Sequence, residues 1–179
     1  MALSGGMDST SLLLRMLARG CEVTCISYNY GQKHVIEIDR ASANVDYLRS
    51  KGYAVEHFVA DLSSAMSLFD STLTDSERLV PEGHYEEEQM KVTVVPNRNA
   101  IFASILYGHA LSVSQREDCD VEIAMGVHSV DHAIYPDCRP ELYSAIAGAF
   151  ALGNWGSDRV SFHLPFIDGD KETILRDAL

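Results

Sequence analysis

The sequence predicts an α/β fold, a doubly wound, mainly parallel five-stranded sheet with helices on both faces. Three observations predict it. Short β-branched apolar runs alternate along the chain with stretches of helical periodicity. Gly20 and Gly52 follow helical stretches, where a left-handed residue is wanted to end the helix. Ser4-Gly5-Gly6-Met7-Asp8-Ser9-Thr10 lies between an apolar lead and a leucine-rich helical run, a strand–turn–helix order. At 179 residues one domain is expected over 1–179.

The elements follow in order. Met1-Ala2-Leu3 is a very short first strand, and the helix after it runs to about Gly20. Residues 21–28 read as a buried strand, with Cys21 and Cys25 on one face. A helix is expected from about His34 to Ser50, then a strand over 53–60. From 61 to 91 periodicity is poor and turn formers are frequent, so a lid or loop insertion is expected there. A helix from about Asn99 to Ser114 is capped by Asn97 or Asn99, with Ile101, Phe102, Ile105, Leu106 and His109 on one face. Strands over 121–127 and 160–164, a helix opened by Pro140 and a short terminal helix complete the series.

Composition narrows the function. A hydrophobic content of 46% is that of a globular protein. No apolar run reaches the roughly 18 residues of a membrane helix. The anion-type loop occupies the place where a signal peptide would lie, so a cytoplasmic protein is expected. A net charge of −12 argues against nucleic acid and for a small-molecule substrate. The four cysteines show no Cys-x-x-Cys pair.

In parallel sheets ligands bind beyond the carboxyl ends of the strands. There, Ser4 to Thr10 offers main-chain amides at a helix start and three hydroxyls for phosphate oxygens. The lysine of a Walker loop is absent and Asp8 stands in the loop. A carboxylate beside phosphate implies a bridging Mg²⁺. Asp8-Ser9 as an ordinary helix cap is the competing reading. Pro96-Asn97-Arg98-Asn99 places a guanidinium and two amides at a helix start, suited to phosphate or ribose, or to a plain capping turn. Tyr30-Gly31-Gln32-x-His34-x-x-Glu37 brings polar groups to a strand end, for substrate or ammonia, or as a capped helix with a Glu–His pair. Asp131, His132, Tyr135, Asp137 and Arg139 crowd one loop, where carboxylates suit a purine-like base. Zinc on His128, Asp131 and His132 is disfavoured, because the His-x-x-x-His spacing falls on a loop. Lys171 meets a phosphate or lies on the surface.

Ser-Gly-Gly-x-Asp-Ser at 4–9 resembles the pyrophosphate loop of the ATP pyrophosphatase superfamily. Adding the Tyr30 to Glu37 block, Pro96-x-Arg98-Asn99, Gly126-Val127 followed by Tyr135-Pro136-Asp137-Cys138-Arg139, and Pro165 with Lys171, the chain resembles the 7-cyano-7-deazaguanine synthase family from 4 to 171. The resemblance implies an adenine nucleotide alpha hydrolase-like, Rossmann-like three-layer sandwich. It also implies a ligase that uses ATP and Mg²⁺ to convert 7-carboxy-7-deazaguanine and ammonia to the nitrile, through adenylated carboxylate and amide.

Under that resemblance Ser4, Gly5, Gly6, Asp8, Ser9, Thr10, Arg98 and Asn99 hold ATP. Asp8, Ser9 and Lys171 take part in catalysis. Tyr30, Gln32, His34, Glu37, Asp131, Tyr135, Asp137 and Arg139 hold the deazapurine. The resemblance leaves room for a homodimer. Members normally continue into a zinc-binding cysteine cluster and have a longer first strand; this chain ends at Leu179 and carries no zinc ligands. Two alternatives remain open: another ATP pyrophosphatase acting on a different substrate, and a nucleotide-binding module without catalysis.

Overall fold

A computed structural model of the chain describes residues 1–32, 36–69, 71, 94–130 and 135–178. Its elements are α1 (Met7–Ala18), β1 (Val23–Asn29), α2 (Ile36–Ser50), β2 (Val55–Asp61), α3 (Ser63–Met66), α4 (Arg98–Glu117), β3 (Val121–Ala124), α5 (Pro140–Gly153), β4 (Val160–His163) and α6 (Lys171–Asp177). Most of the expected 61–91 insertion lies outside the described residues.

The strands pair in parallel, Val23 to Asn29 of β1 against Val55 to Asp61 of β2, and Val121 to Ala124 of β3 against Val160 to His163 of β4. Side chains alternate across a strand, so the two faces of the strands feed two cores. On one face Met1, Leu3, Val23, Cys25 and Ala124 pack with Leu12, Leu13, Met16 and Leu17 of α1, with Ala41, Val45 and Leu48 of α2 and with Ile174 of α6. On the other, Ile26, Tyr28, Ile123 and Met125 pack with Phe102, Leu106 and Ala110 of α4 and with Tyr143 of α5. Full burial of Leu12 and Leu13 stabilises the first core by about 2 kcal/mol each.

Of the five-stranded sheet expected from the sequence, the described residues show the parallel pairing but not one continuous sheet. Among them four strands form two two-stranded sheets, and the expected first strand is one parallel bridge, Ala2 to Ile26. Three residues offer too few groups to propagate a ladder. The segment nevertheless bonds to both sides. Leu3 N donates to Ile26 O at 3.0 Å, Ile26 N to Met1 O at 2.8 Å, and Ala2 N to Ala124 O at 3.3 Å. This fixes the residues that follow Leu3 beside the ends of β1 and β3. Of the two caps expected for this helix, Asn97 is the N-cap of α4: its carbonyl accepts from Ile101 N at 3.1 Å, but it sits in the left-handed region, φ 58°, and its side chain makes no cap bond.

Candidate active site

A cleft of about 340 Å³ opens where Leu3, β1 and β3 end. Ser4 lines it from the loop before α1, Asp8 and Ser9 from α1, Tyr30 and Gln32 from the β1–α2 connection, Glu37 from the first turn of α2, and Arg98 and Asn99 from the start of α4. The topology thus gathers three sequence blocks that lie far apart in the chain.

The loop at 4–9 closes on itself. Ser9 Oγ accepts from Ser4 N at 3.2 Å and lies 3.1 Å from Ser4 Oγ, which accepts from Gly6 N at 3.3 Å. Gly6 is the N-cap and contributes no side chain, and the first bond into the helix is Thr10 N to Gly6 O. The amides of Met7, Asp8 and Ser9 therefore form the orphan first turn, with the positive end of the helix dipole behind them. Gly5 has φ +79°, and a Cβ there would fall 2.5 Å from Glu37 O and 2.7 Å from Ala41 N. Glycine thus lets the loop lie directly on α2. Thr10, expected on phosphate, instead accepts from Asn44 Nδ2 at 3.2 Å and ties α1 to α2.

Asp8 does not cap its own helix. One of its oxygens, Oδ2, lies 3.4 Å from His128 Nε2. The other, Oδ1, is buried and has no donor among the described residues. A buried carboxylate oxygen without a donor is costly unless a cation or a proton meets it. The donor chemistry therefore fits Mg²⁺, which is commonly held by one or two carboxylates together with phosphate oxygens. Among the described residues no group of three His, Cys, Asp or Glu would hold a metal unaided. Cys21, Cys25, Cys119 and Cys138 form no disulfide, and among the described residues no group of zinc ligands is assembled.

At the end of β1, Gln32 is spent on its own turn. Its Oε1 accepts from Tyr30 N at 2.9 Å and its Nε2 donates to Tyr28 O at 3.0 Å. Tyr30 remains on the cleft wall, 6.0 Å from the Arg98 guanidinium carbon measured at the ring centroid. Burial works against the Arg98 charge, but Tyr30, Asp137 and Cys138 outweigh it and hold the guanidinium above its ordinary pKa. The site keeps a permanent, enclosed cation.

Asn99 and Asp137 meet each other. Asp137 Oδ2 accepts from Asn99 N at 3.1 Å, so Asp137 caps α4 from across the fold. Asn99 Nδ2 donates to Asp137 O at 3.1 Å and reaches Cys138 Sγ at 3.3 Å, while Tyr143 Oη donates to Asp137 O at 3.3 Å. The Asp137 Oδ1 is buried without a partner among the described residues. Tyr135, Arg139 and Lys171 stand outside the cleft wall; Arg139 precedes α5 and Lys171 opens α6. His34, Asp131 and His132 lie outside the described residues.

Sequence reasoning gave no site role to Ser27 and Phe102, named Gly126 and Cys138 only within motifs, and weighed His128 only for zinc; the structure puts the first four on the cleft wall and His128 against Asp8. Ser27 Oγ donates to Leu3 O at 2.6 Å and lies 2.8 Å from His57 Nε2, steadying the residue that leads into the loop. Gly126 was legible: an isolated glycine in a strand pattern marks close approach of another backbone. Here a Cβ would fall 3.3 Å from the Asp8 carbonyl.

A cleft at the carboxyl ends of parallel strands, with a glycine turn into a helix, defines the nucleotide-site class of α/β protein. The solved U34-tRNA thiolase NcsA from Methanococcus maripaludis, with its [4Fe-4S] cluster, shares the fold at a TM-score of 0.51 and 19% identity, over 99% of this chain and 54% of that one. The family model described as queuosine biosynthesis protein QueC matches residues 1–179, and the chain belongs to that family.

Curated relatives include the 7-cyano-7-deazaguanine synthase of Alteromonas mediterranea, 41% identical over 98% of this chain and 75% of its own length. That of Methanoregula boonei is 43% identical over 99% and 76%. The 7-cyano-7-deazaguanine synthase 1 of Colwellia psychrerythraea is 43% identical over 98% and 75%. The family is thus one of enzymes.

Proposed function

We propose that the chain converts 7-carboxy-7-deazaguanine and ammonia to 7-cyano-7-deazaguanine at the expense of ATP, as a ligase forming carbon–nitrogen bonds. The observation that carries this is Asp8, whose buried oxygen has no donor among the described residues, in the orphan first turn of α1 within the cleft. The substrate carboxylate oxygen attacks the α-phosphorus of ATP, and pyrophosphate leaves with the bonding pair. Ammonia then attacks the acyl carbon, loses a proton and expels AMP to leave the amide. A second ATP activates the amide oxygen, and loss of AMP with the nitrogen-bound protons gives the nitrile.

The chain's residues divide that work. The amides of Met7, Asp8 and Ser9, with Ser4, Gly5 and Gly6, receive the pyrophosphate portion. Mg²⁺ held by Asp8 would neutralise charge developing on the leaving pyrophosphate. Arg98 supplies a fixed positive charge in the same cleft. Lys171 is read as a further cation for phosphate. Tyr30 and Glu37, together with His34, Asp131, Tyr135 and Arg139, are read as the residues that hold the deazapurine. Asn99, Gln32, Thr10 and one oxygen of Asp137 serve by fixing the walls. In the finer reading of the fold, Met1–Leu3 is the middle rung of one sheet in the order β2, β1, 1–3, β3, β4. ATP supply puts the chemistry in the cytoplasm.

The test incubates the full-length protein with ATP, Mg²⁺, ammonium and 7-carboxy-7-deazaguanine, following nitrile mass and AMP. Nitrile with two AMP per turnover is expected, and a loss of roughly 100-fold or more in Asp8→Asn, whose melting temperature stays within a few degrees of the parent. Bound ATP without AMP or nitrile would refute the assignment.

A further inference from the structure

We infer that His128 is a positioning residue for this site and acts through Asp8. The inference rests on the ATP and Mg²⁺ reading above and goes beyond it, since no motif that suggested the function includes this histidine. Three observations converge. The His128 side chain is 2% exposed, although a histidine just past a strand end would normally be partly solvated. Its Nε2 lies 3.4 Å from Asp8 Oδ2, and the other oxygen of the same carboxylate has no donor among the described residues. The backbone around it is held in place on both sides. Gly126 brings the end of β3 against the Asp8 main chain, and Ser129 N and Oγ donate to Gly169 O at 3.0 and 2.6 Å.

A carboxylate with one oxygen engaged by a fixed donor loses its freedom to rotate and presents the other oxygen in one direction. That is how outer partners orient metal-binding carboxylates, and their removal typically costs about 10–100-fold in metal affinity. The inference needs donation from Nε2, which both the neutral Nε2–H tautomer and the imidazolium supply. It therefore predicts dependence on reach rather than on charge. A glutamine carries its amide nitrogen about as far from the backbone as Nε2, whereas asparagine ends near the Nδ1 position and leucine has no donor.

The experiment titrates Mn²⁺ by electron paramagnetic resonance, as a reporter for Mg²⁺, into protein with a non-hydrolysable ATP analogue, and records melting curves alongside. Wild type and His128→Gln are expected within about threefold of each other. His128→Asn and His128→Leu are expected to need roughly tenfold more Mn²⁺, the low end of the cited range. Asp8→Asn is expected to abolish the nucleotide-dependent signal. His128→Asn binding like wild type, or His128→Gln as impaired as His128→Leu, would overturn the inference while leaving the ATP reading intact. Wild-type protein without nucleotide-dependent Mn²⁺ binding would overturn that reading and the inference with it.

Discussion

Gly5→Ala isolates what the loop at 4–9 costs to hold in place. Gly5 has φ +79°, where an alanine side chain crowds its own carbonyl, at roughly 1–2 kcal/mol. A Cβ at that position also meets Glu37 O at 2.5 Å and Ala41 N at 2.7 Å, both main-chain atoms of α2 that cannot swing aside. Relief requires the loop and α2 to part, and such overpacking costs about 1–3 kcal/mol. Gly20 provides the matched control: its φ is +78°, and a Cβ there would have nothing within 4 Å.

Gly20→Ala should therefore lose only the conformational part, and Gly5→Ala about 1–3 kcal/mol more. For a domain of this size each kcal/mol shifts the melting temperature by about 2–4 °C. The difference between the two variants is then roughly 2–12 °C, read by circular dichroism and confirmed by urea unfolding. Gly5→Ala should also lose the thermal protection that ATP gives, while Gly20→Ala keeps it. Equal melting temperatures in the two variants would refute the contact between the loop and α2.

Two further perturbations follow from the same structure. Asp137→Ala should destabilise the ligand-free protein by about 1 kcal/mol, as loss of an α4 cap, and Asn99→Ala by about 1–2 kcal/mol through its side-chain bonds to Arg98, Asp137 and Cys138, both measured by urea unfolding. Unchanged ligand-free stability in Asp137→Ala would leave it a purely ligand-facing residue. For pH, burial foremost lowers the pKa of His57, His109 and His163 from the ordinary 6.5. Below 6.5 the unfolded chain takes up protons that the folded one does not. Stability is therefore fully present above that pH and declines as pH falls from 6.5 toward the folded values. Urea midpoints between pH 7.5 and 5.5 should fall, and replacing the three histidines by glutamine should flatten the decline.

What the sequence by itself determined is local. Gly5, Gly6 and Asp8 before a leucine-rich run specify a turn into a helix, because those backbone angles and that helix start need no distant partner. The alternation of strands and helices was likewise legible, since period and punctuation are properties of neighbouring residues, and it placed the cleft at the strand ends. The length of the first strand was not, because a ladder exists only when both neighbours are in register with Met1–Leu3.

Side-chain allegiance was decided by the tertiary structure. Thr10 and Ser9 are adjacent hydroxyls, yet one bonds back into the loop and the other leaves for Asn44. Asn99 and Asp137 both read as ligand-holding groups, and 38 positions apart each side chain bonds the other's main chain. His128 is one imidazole among seven in sequence, and only the close approach of Gly126 to the start of α1 sets it beside Asp8. A polar side chain carries the same donors wherever it stands. Which partner it meets depends on long-range packing, which sequence spacing does not encode.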